Sequence, residues 1–263
     1  MKFTKMNGLR NDYIFINAHV EKITDPSGLA KKLTDEHGSV GGDGIVLIDF
    51  CEEADVAMRI YNADGSEGLM CGNALRCTGK YAYENLGIKK ERFTVKTVSG
   101  IKTVFVRVID GKVVCATADL GEVNGFPQTE KVVFKGTEYE GYCVSVGNPH
   151  FVLLVDEFPD DLSSVGKFIN DSDCFPGGVN VEFALKRICG DVITVRVYER
   201  GSGETMACGT GATAAYYVCR NLGFVGNSAI VHLPGGNIIC GCKNGNYYIN
   251  GTVEKNFEGE IEI

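Results

Sequence analysis

The 263-residue sequence has no stretch rich in lysine and arginine, and it carries a formal net charge of −8 with an isoelectric point near 5.1. Nucleic acids and anionic membranes attract basic surfaces, so we expect neither as a partner. No run approaches the ~18 consecutive apolar residues of a membrane span, and the first residues lack the apolar core of a secretory signal. We therefore expect a cytoplasmic protein whose partner is a small molecule.

The sequence also lacks the C-x-x-C pairs of structural metal sites, although it contains 11 cysteines. We expect no bound metal, and we expect most thiols to be reduced and buried, where they behave as small apolar residues. This packing role is assigned to Cys51, Cys77, Cys115, Cys143, Cys174, Cys189, Cys219, Cys240 and Cys242.

One stretch of the sequence occurs twice. R-I-Y-N-A-D-G-S-E-G-L-M-C-G-N-A at 59–74 aligns without a gap with R-V-Y-E-R-G-S-G-E-T-M-A-C-G-T-G at 196–211, a shift of 137 residues (59 to 196). A repeat that spans half of the chain predicts a duplicated fold, and it is too long for a solenoid. The same shift pairs Cys71 with Cys208, Gly72 with Gly209, Asn11 with Asn148, and Asp43 with Asn180.

The local patterns predict mostly strands, with a helix after each copy of the motif. The helices are expected at 74–86 and 211–222, ended by Gly87 and Gly223, with shorter helices from Pro26 to Gly38 and over 161–169. Strands are expected at 2–5, 13–16, 45–50, 56–61, 93–98, 101–109, 112–120, 151–155 and 191–198, and around Val144, Val231, Ile238 and Tyr248.

These elements favour an α+β architecture over a doubly wound sheet. We expect two pseudo-symmetric lobes, each a mostly antiparallel sheet wrapped round a central helix. The first lobe would span 1–120 and be completed by the tail 254–263; the second would span 121–253, with 121–127 as linker. An active site is expected in the cleft between them, where small-molecule sites tend to lie.

Each motif places a cysteine at the start of a predicted helix. Unpaired N–H groups and the helix dipole there should lower a thiol pKa and bind a carboxylate, which Gly72 and Gly209 allow to approach. Two such units around one carbon would supply a base and an acid on opposite faces, as stereoinversion of an amino acid requires. A redox disulfide, or a phosphate-binding glycine turn with an incidental cysteine, would fit the same pattern. By themselves, His150 fits an ordinary core or surface histidine, and Glu199 with Arg200 fits an exposed ion pair.

Five segments carry a resemblance to a known family. They read F-T-K-M-N-G-L-R-N-D-Y at 3–13, N-A-D-G-S-E at 62–67, M-C-G-N at 70–73, G-N-P-H at 147–150 and E-R-G-S-G-E-T-M-A-C-G-T-G at 199–211. With these segments, nearly the whole chain resembles the diaminopimelate epimerases. Proline and hydroxyproline racemases share that fold and the cysteine pair, but their sequences differ from this one in the segments 62–67 and 199–211.

The resemblance implies a cofactor-independent, usually dimeric isomerase that interconverts LL- and meso-diaminopimelate on the route to lysine and peptidoglycan. It implies Cys71 and Cys208 as the acid/base pair, with His150 and Glu199 as supporting polar groups. It also implies that the substrate is bound by Asn11, Asn62, Gly72, Asn73, Asn148, Asn180, Glu199, Arg200, Gly209 and Thr210.

The sequence departs from the family pattern at a few positions. Gly44 stands where some members have a substrate-contacting glutamine, Ala74 replaces a motif glycine, and Asn7 and Arg10 replace a histidine and a glycine.

Two alternative functions stay open. One is a racemase of the same fold acting on proline, hydroxyproline or histidine, and the other is a redox protein whose cysteines form a switch. Arg200, with Asn62 and Asn180, favours the epimerase, since a monocarboxylic substrate has no use for a distal carboxylate fork.

Overall fold

The computed structural model describes residues 1–123 and 128–262. The chain divides into two compact units, which are Met1–Asp119 with Asn250–Ile263, and Leu120–Ile249. The first unit was predicted to span 1–120 with the tail 254–263. Of the predicted linker, Gly121 and Glu122 end a strand, whereas residues 124–127 lie outside the described residues. Across the described ranges, no helix is long and apolar enough to cross a membrane.

The first unit is built from residues at both ends of the chain. Its elements are β1 (Lys2–Gly8), β2 (Asn11–Asn17), α1 (Pro26–Leu33), β3 (Gly44–Asp49), β4 (Val56–Asn62), β5 (Glu67–Gly68), α2 (Gly72–Glu84), β6 (Arg92–Thr97), β7 (Gly100–Ile109) and β8 (Lys112–Glu122). The second unit begins with β9 (Gln128–Phe134), β10 (Thr137–Ser145), β11 (Pro149–Val155), α3 (Leu162–Asn170), β12 (Asn180–Leu185), β13 (Val192–Glu199) and β14 (Gly203–Thr205). It continues with α4 (Gly209–Asn221), β15 (Ser228–Leu233), β16 (Gly236–Lys243) and β17 (Asn246–Thr252), after which β18 (Glu254–Glu260) returns to the first unit.

Strand order is the same in both units. The first sheet runs β18-β1-β2-β3-β4-β6-β7-β8, antiparallel except for β2–β3 and β4–β6. The second runs β9-β10-β11-β12-β13-β15-β16, antiparallel except for β11–β12 and β13–β15. Repeated order and direction, with four helices among mostly strands over the described residues, confirm the predicted α+β fold.

A buried helix follows each motif. All residues of α2 from Gly72 to Ala82 are buried, as are all residues of α4 from Gly209 to Cys219. A helix that is buried on every side is packed within its domain. Both helices begin two residues before the predicted 74 and 211, because the cysteine itself, in an extended conformation, is the N-cap.

The shorter helices cover one face of each sheet. Leu29, Ala30 and Leu33 of α1 pack into a cluster with β2 and β3, and Leu162 and Val165 of α3 pack with β11 and β12. The expectation that α1 continues to Gly38 is wrong, since α1 ends at Leu33 with Thr34 as its C-cap. The Asp35 carboxylate instead accepts bonds from the backbone N–H groups of His37 and Gly38, a local turn that competes with the helix.

Pairing within each sheet corrects one of the repeat equivalences. Ile45 lies opposite Tyr61, and Val181 lies opposite Tyr198. Since the two tyrosines are equivalent, Gly44 is the counterpart of Asn180, and the predicted pairing of Asp43 with Asn180 is wrong by one residue. The reason is an extra residue between β12 and β13: 17 positions separate the second pair (181 to 198), against 16 in the first (45 to 61).

Candidate active site

Cys71 lies at the junction between β5 and α2. Its Sγ accepts a hydrogen bond from the Ala74 N–H at 3.5 Å, as an N-cap does, and donates to Asn11 Oδ1 at 3.4 Å. The Asn73 side chain donates to the same Asn11 oxygen at 3.2 Å. Three residues implied as site residues, Cys71, Asn73 and Asn11, therefore meet at one carbonyl oxygen.

Asp43 fixes which way the Asn11 amide points. Asn11 Nδ2 donates to Asp43 Oδ2 at 2.7 Å, and the Asp12 N–H donates to the same oxygen at 2.9 Å. An ionised carboxylate only accepts, so the amide nitrogen must face it and the amide oxygen must face Cys71. Burial raises the pKa of Asp43, and the backbone hydrogen bond from Asp12 opposes that rise.

Asn62 ends β4 directly opposite Gly44. Its N–H donates to the Ser66 carbonyl at 2.9 Å and its side chain donates to Ser66 Oγ at 3.0 Å, which closes the turn before β5. A Cβ at Gly44 would lie 2.4 Å from the Tyr61 carbonyl oxygen. The backbone therefore leaves no room for a side chain at Gly44.

Cys208 caps α4 in the same way in the second unit. Its Sγ accepts from the Gly211 N–H at 3.4 Å and lies 3.5 Å from Thr210 Oγ1. Burial raises the pKa of Cys208 well above 9.0, Glu199 and Glu182 raise it further, and the two hydrogen bonds act against them. The prediction that the helix terminus lowers this thiol pKa is wrong, because burial beside two carboxylates outweighs the terminus.

Glu199 is the last residue of β13 and interacts with Cys208. Thr205 Oγ1 donates to Glu199 Oε1 at 2.5 Å, and Cys208 also hydrogen bonds to this carboxylate. Burial raises the pKa of Glu199, while these hydrogen bonds lower it. A carboxylate in contact with a thiol can exchange a proton with it.

Buried His150 connects two side chains of the second unit. Its Nδ1 lies 2.7 Å from Glu182 Oε1, and its Nε2 lies 2.9 Å from Asn148 Oδ1. The side chains of His150 and Glu182 are both 0% exposed. Both ring nitrogens are thus engaged within the protein.

Asn180 and Arg200 lie together at the ends of β12 and β13. Asn180 Oδ1 accepts from the Arg200 N–H at 2.9 Å, and Arg200 Nη1 donates to the Gly177 carbonyl at 3.0 Å. The Arg200 side chain lines a cavity of about 380 Å³ formed with residues of the segment between α3 and β12. The guanidinium is therefore placed at an open cavity wall that also carries Asp171 and Asp173.

The structure groups the implied residues as two sets, one in each unit. The first set contains Cys71, Gly72, Asn73 and Asn11, and the second contains Cys208, Gly209, Thr210, Glu199, His150 and Asn148. Sequence reasoning missed Glu182 and gave Asp43 no role at the site. A signal for Glu182 was present, since a charged residue inside the apolar run N-V-E-F-A-L must be paired when it is buried.

Comparison with known proteins identifies the family. A family model described as diaminopimelate epimerase matches residues 3–124 and 142–255. The diaminopimelate epimerase of Methanococcus maripaludis strain C5 is 41% identical over 280 residues, covering 100% of both chains. That of Acetivibrio thermocellus is also 41% identical over 280 residues, covering 100% of this chain and 99% of its own. The chain belongs to the diaminopimelate epimerase family.

Solved structures of proteins from other families have the same fold as this chain. A hydroxyproline epimerase from Agrobacterium vitis has a TM-score of 0.76 at 16% identity, covering 98% of this chain and 91% of its own. A PhzF family protein of Bacillus anthracis has a TM-score of 0.72 at 15% identity, covering 100% and 99%. At such identities the likeness concerns the fold alone.

Proposed function

We propose that the chain is an isomerase that interconverts LL- and meso-diaminopimelate by moving a proton at one α-carbon. The observation that carries the proposal is the full-length identity of about 40% to diaminopimelate epimerases. The local geometry supports it, because each unit presents one cysteine as the N-cap of a buried helix. The proposed reaction requires both cysteines to reach the same carbon.

The proposed chemistry is a balanced proton transfer. One cysteine thiolate takes the α-proton, the electron pair passes into the substrate carboxylate, and the other cysteine thiol returns a proton to the opposite face. An α-proton is weakly acidic, so the negative charge that develops on the carboxylate must be stabilised. The first N–H groups of α2 and α4, at Gly72, Asn73, Gly209 and Thr210, are donors suited to that task.

Glu199 has a definite part in this proposal. The raised pKa of Cys208 keeps it as a thiol, the form that can return a proton to the substrate, whereas only the thiolate can take one. To act as base for the other stereoisomer, Cys208 must first lose its proton. The Glu199 carboxylate, which hydrogen bonds to Cys208, is the group proposed to accept it.

Arg200 is proposed to bind the distal carboxylate of the substrate. It lines a cavity, and its planar guanidinium can hold a carboxylate by two hydrogen bonds. We expect Arg200→Lys to lower kcat/KM for diaminopimelate, with a loss of ~1.5 to 3 kcal/mol in transition-state stabilisation. A lysine keeps the positive charge but cannot form the two parallel hydrogen bonds of a guanidinium. Unchanged kcat/KM, with proline or histidine turned over equally well, would instead favour a racemase acting on one of those amino acids.

The proposal is tested directly by isotope incorporation. The protein is incubated with LL-diaminopimelate in D₂O without pyridoxal phosphate, and the product is examined for meso isomer carrying deuterium at one α-carbon. Meso product with deuterium is expected. Absence of both product and α-deuteration with folded protein would reject the function.

Two further properties implied by the family resemblance belong to the proposal. These are a homodimeric assembly and a cytoplasmic location, for which the resemblance is the support. Light scattering of the purified chain measures the first, and a monomer mass at enzyme-assay concentration would contradict it.

A further inference from the structure

A buried hydrogen-bonded chain in the second unit is left unused by the proposed proton transfer. It runs from Glu182 through His150 to Asn148, with heavy-atom distances of 2.7 and 2.9 Å. Glu182 also has one carboxylate oxygen, Oε2, with no hydrogen-bond partner among the described residues. A fully buried carboxylate is costly unless a cation or hydrogen bonds balance it.

The two contacts of His150 suit the imidazolium form of the ring. Both ring nitrogens face oxygens, Glu182 Oε1 and Asn148 Oδ1. A neutral imidazole has one N–H, whereas the imidazolium has two and can donate to both oxygens. The imidazolium also supplies the positive charge that the buried Glu182 needs.

The equivalent asparagine in the first unit is held in the opposite sense. Asn11 donates through Nδ2 to Asp43, so its amide oxygen is turned to Cys71. Asn148 accepts through Oδ1 from His150, so its amide nitrogen remains as the donor end. The equivalent asparagines are therefore held by opposite ends of their amide groups, Asn11 through its nitrogen and Asn148 through its oxygen.

Three equivalent positions differ together between the units. Strand pairing makes Tyr13 the counterpart of His150, Val46 the counterpart of Glu182, and the motif makes Ala74 the counterpart of Gly211. A Cβ at Gly211 would lie 2.6 Å from Glu182 Oε1. The glycine therefore makes room for the carboxylate, whereas the equivalent residues of the first unit are alanine and valine.

We propose that Glu182 is a positioning residue, which acts through the His150 imidazolium to hold the Asn148 amide with its nitrogen toward the substrate. This inference rests on the proposed function and on the family resemblance, which implies that Asn148 binds the substrate. The amide nitrogen of Asn148 is a hydrogen-bond donor, which suits a carboxylate of the substrate.

The protonation of His150 is measured on the wild-type chain by ¹⁵N NMR with labelled histidine. The other three histidines, His19, His37 and His232, are exposed whereas His150 is buried, so the signal that a soluble paramagnetic agent leaves unbroadened is that of His150. We expect two protonated ring nitrogens at the pH of the assay. One unprotonated nitrogen would mean that His150 accepts from a flipped Asn148, which overturns the proposal whether or not any variant folds.

The isosteric variant Glu182→Gln tests the consequence for the substrate. The glutamine oxygen can still accept from Nδ1, but the amide does not balance a positive charge, so His150 becomes neutral and Asn148 turns. We expect KM to rise about tenfold to a hundredfold, the range for a hydrogen bond to a charged group, with kcat within about threefold. A purely structural role would lower the amount of folded enzyme without changing KM.

Two controls separate this inference from the proposed function. Glu157→Gln removes an exposed carboxylate near α3 and should leave KM unchanged. If the wild-type chain lacks epimerase activity, the proposed function fails while the ¹⁵N spectrum still decides the state of His150. If the wild type is active and Glu182→Gln has normal KM, the positioning role alone is wrong.

Discussion

Glu199 affects Cys208 in two opposite ways at the scale of the single residue. Its charge is, after burial, the largest contribution that raises the pKa of Cys208, and its carboxylate is the proposed acceptor of the same proton. Losing the charge should make the thiol easier to ionise, yet losing the acceptor should slow the reaction. Without the Glu199 charge, the Cys208 thiol should therefore ionise more easily while epimerisation becomes slower.

We expect Glu199→Gln to lower the pKa of Cys208 and to lower epimerisation about 10²-fold to 10⁴-fold, the usual contribution of a positioned acid or base. The thiol is titrated by its thiolate ultraviolet absorbance, as the difference between each protein and its Cys208→Ser counterpart. A raised thiol pKa together with near-normal turnover would show that Glu199 serves neither purpose.

Cys77 in α2 shows how a buried thiol without a catalytic role affects stability. Burial raises the pKa of Cys77 from 9.0 to about 12. Between these pH values the unfolded chain has lost the proton that the folded chain keeps, so the folded state binds more protons. The free energy of unfolding must therefore fall as the pH rises through this window.

The expected slope for Cys77 is about 1.4 kcal/mol per pH unit above pH 9. Urea unfolding of wild type and Cys77→Val between pH 8 and about 11 measures it, and the valine variant should lose stability less steeply by that amount. Cys174→Val is the matched control, because Cys174 is exposed, so that the packing role predicted for it is wrong, and its replacement should leave the slope unchanged. Parallel slopes for wild type and Cys77→Val would contradict the assignment.

At the scale of elements, α4 and β12 are fitted to each other at Gly211 and Glu182. Alanine is the better helix former, but its Cβ would meet Glu182 Oε1 at 2.6 Å. We expect Gly211→Ala to destabilise the chain by about 1 to 3 kcal/mol, as overpacking does. In a Glu182→Val background, which copies the arrangement of the first unit, the same change should cost little.

A double-mutant cycle in urea measures that coupling, with both single variants and the combination compared to wild type. If Gly211→Ala only reduced backbone flexibility, its effect on the free energy of unfolding would add to that of Glu182→Val. Additivity within about 0.5 kcal/mol would therefore contradict the proposed contact between Gly211 and the carboxylate.

Element prediction from the sequence succeeded where local chemistry determines structure. The strands predicted at 101–109 and 112–120 are joined at Asp110-Gly111, where φ is positive at both residues, 49° and 76°, as a two-residue hairpin turn requires. The edge strands β9 and β18 were missed because most of their side chains are exposed and show no alternation. The central strand β12 was missed because both faces are buried, which hides the period of two.

At the scale of the whole chain, the duplication was the most informative signal in the sequence. It gave the equivalence of Cys71 and Cys208, which both cap helices, and the repeated strand order. It could not give the one-residue insertion between β12 and β13, which only pairing with the neighbouring strand reveals. Contacts such as Glu182 with His150 join residues of separate strands, so no local pattern could predict them.

The central claim of the proposed function is that each repeat contributes one of the two bases. In Cys208→Ala only Cys71 remains, and in Cys71→Ala only Cys208 remains. Each variant should then exchange the α-proton of one stereoisomer with solvent and return it to the same face, without inversion. The isomer that exchanges should differ between the two variants.

The most direct measurement is α-deuteration of LL- and of meso-diaminopimelate in D₂O with each alanine variant, followed by NMR and chiral chromatography. We predict exchange of one isomer with Cys208→Ala, exchange of the other with Cys71→Ala, and no epimerisation by either. Retained epimerisation in one variant, or exchange of the same isomer by both, would contradict a two-base reaction shared by the two repeats.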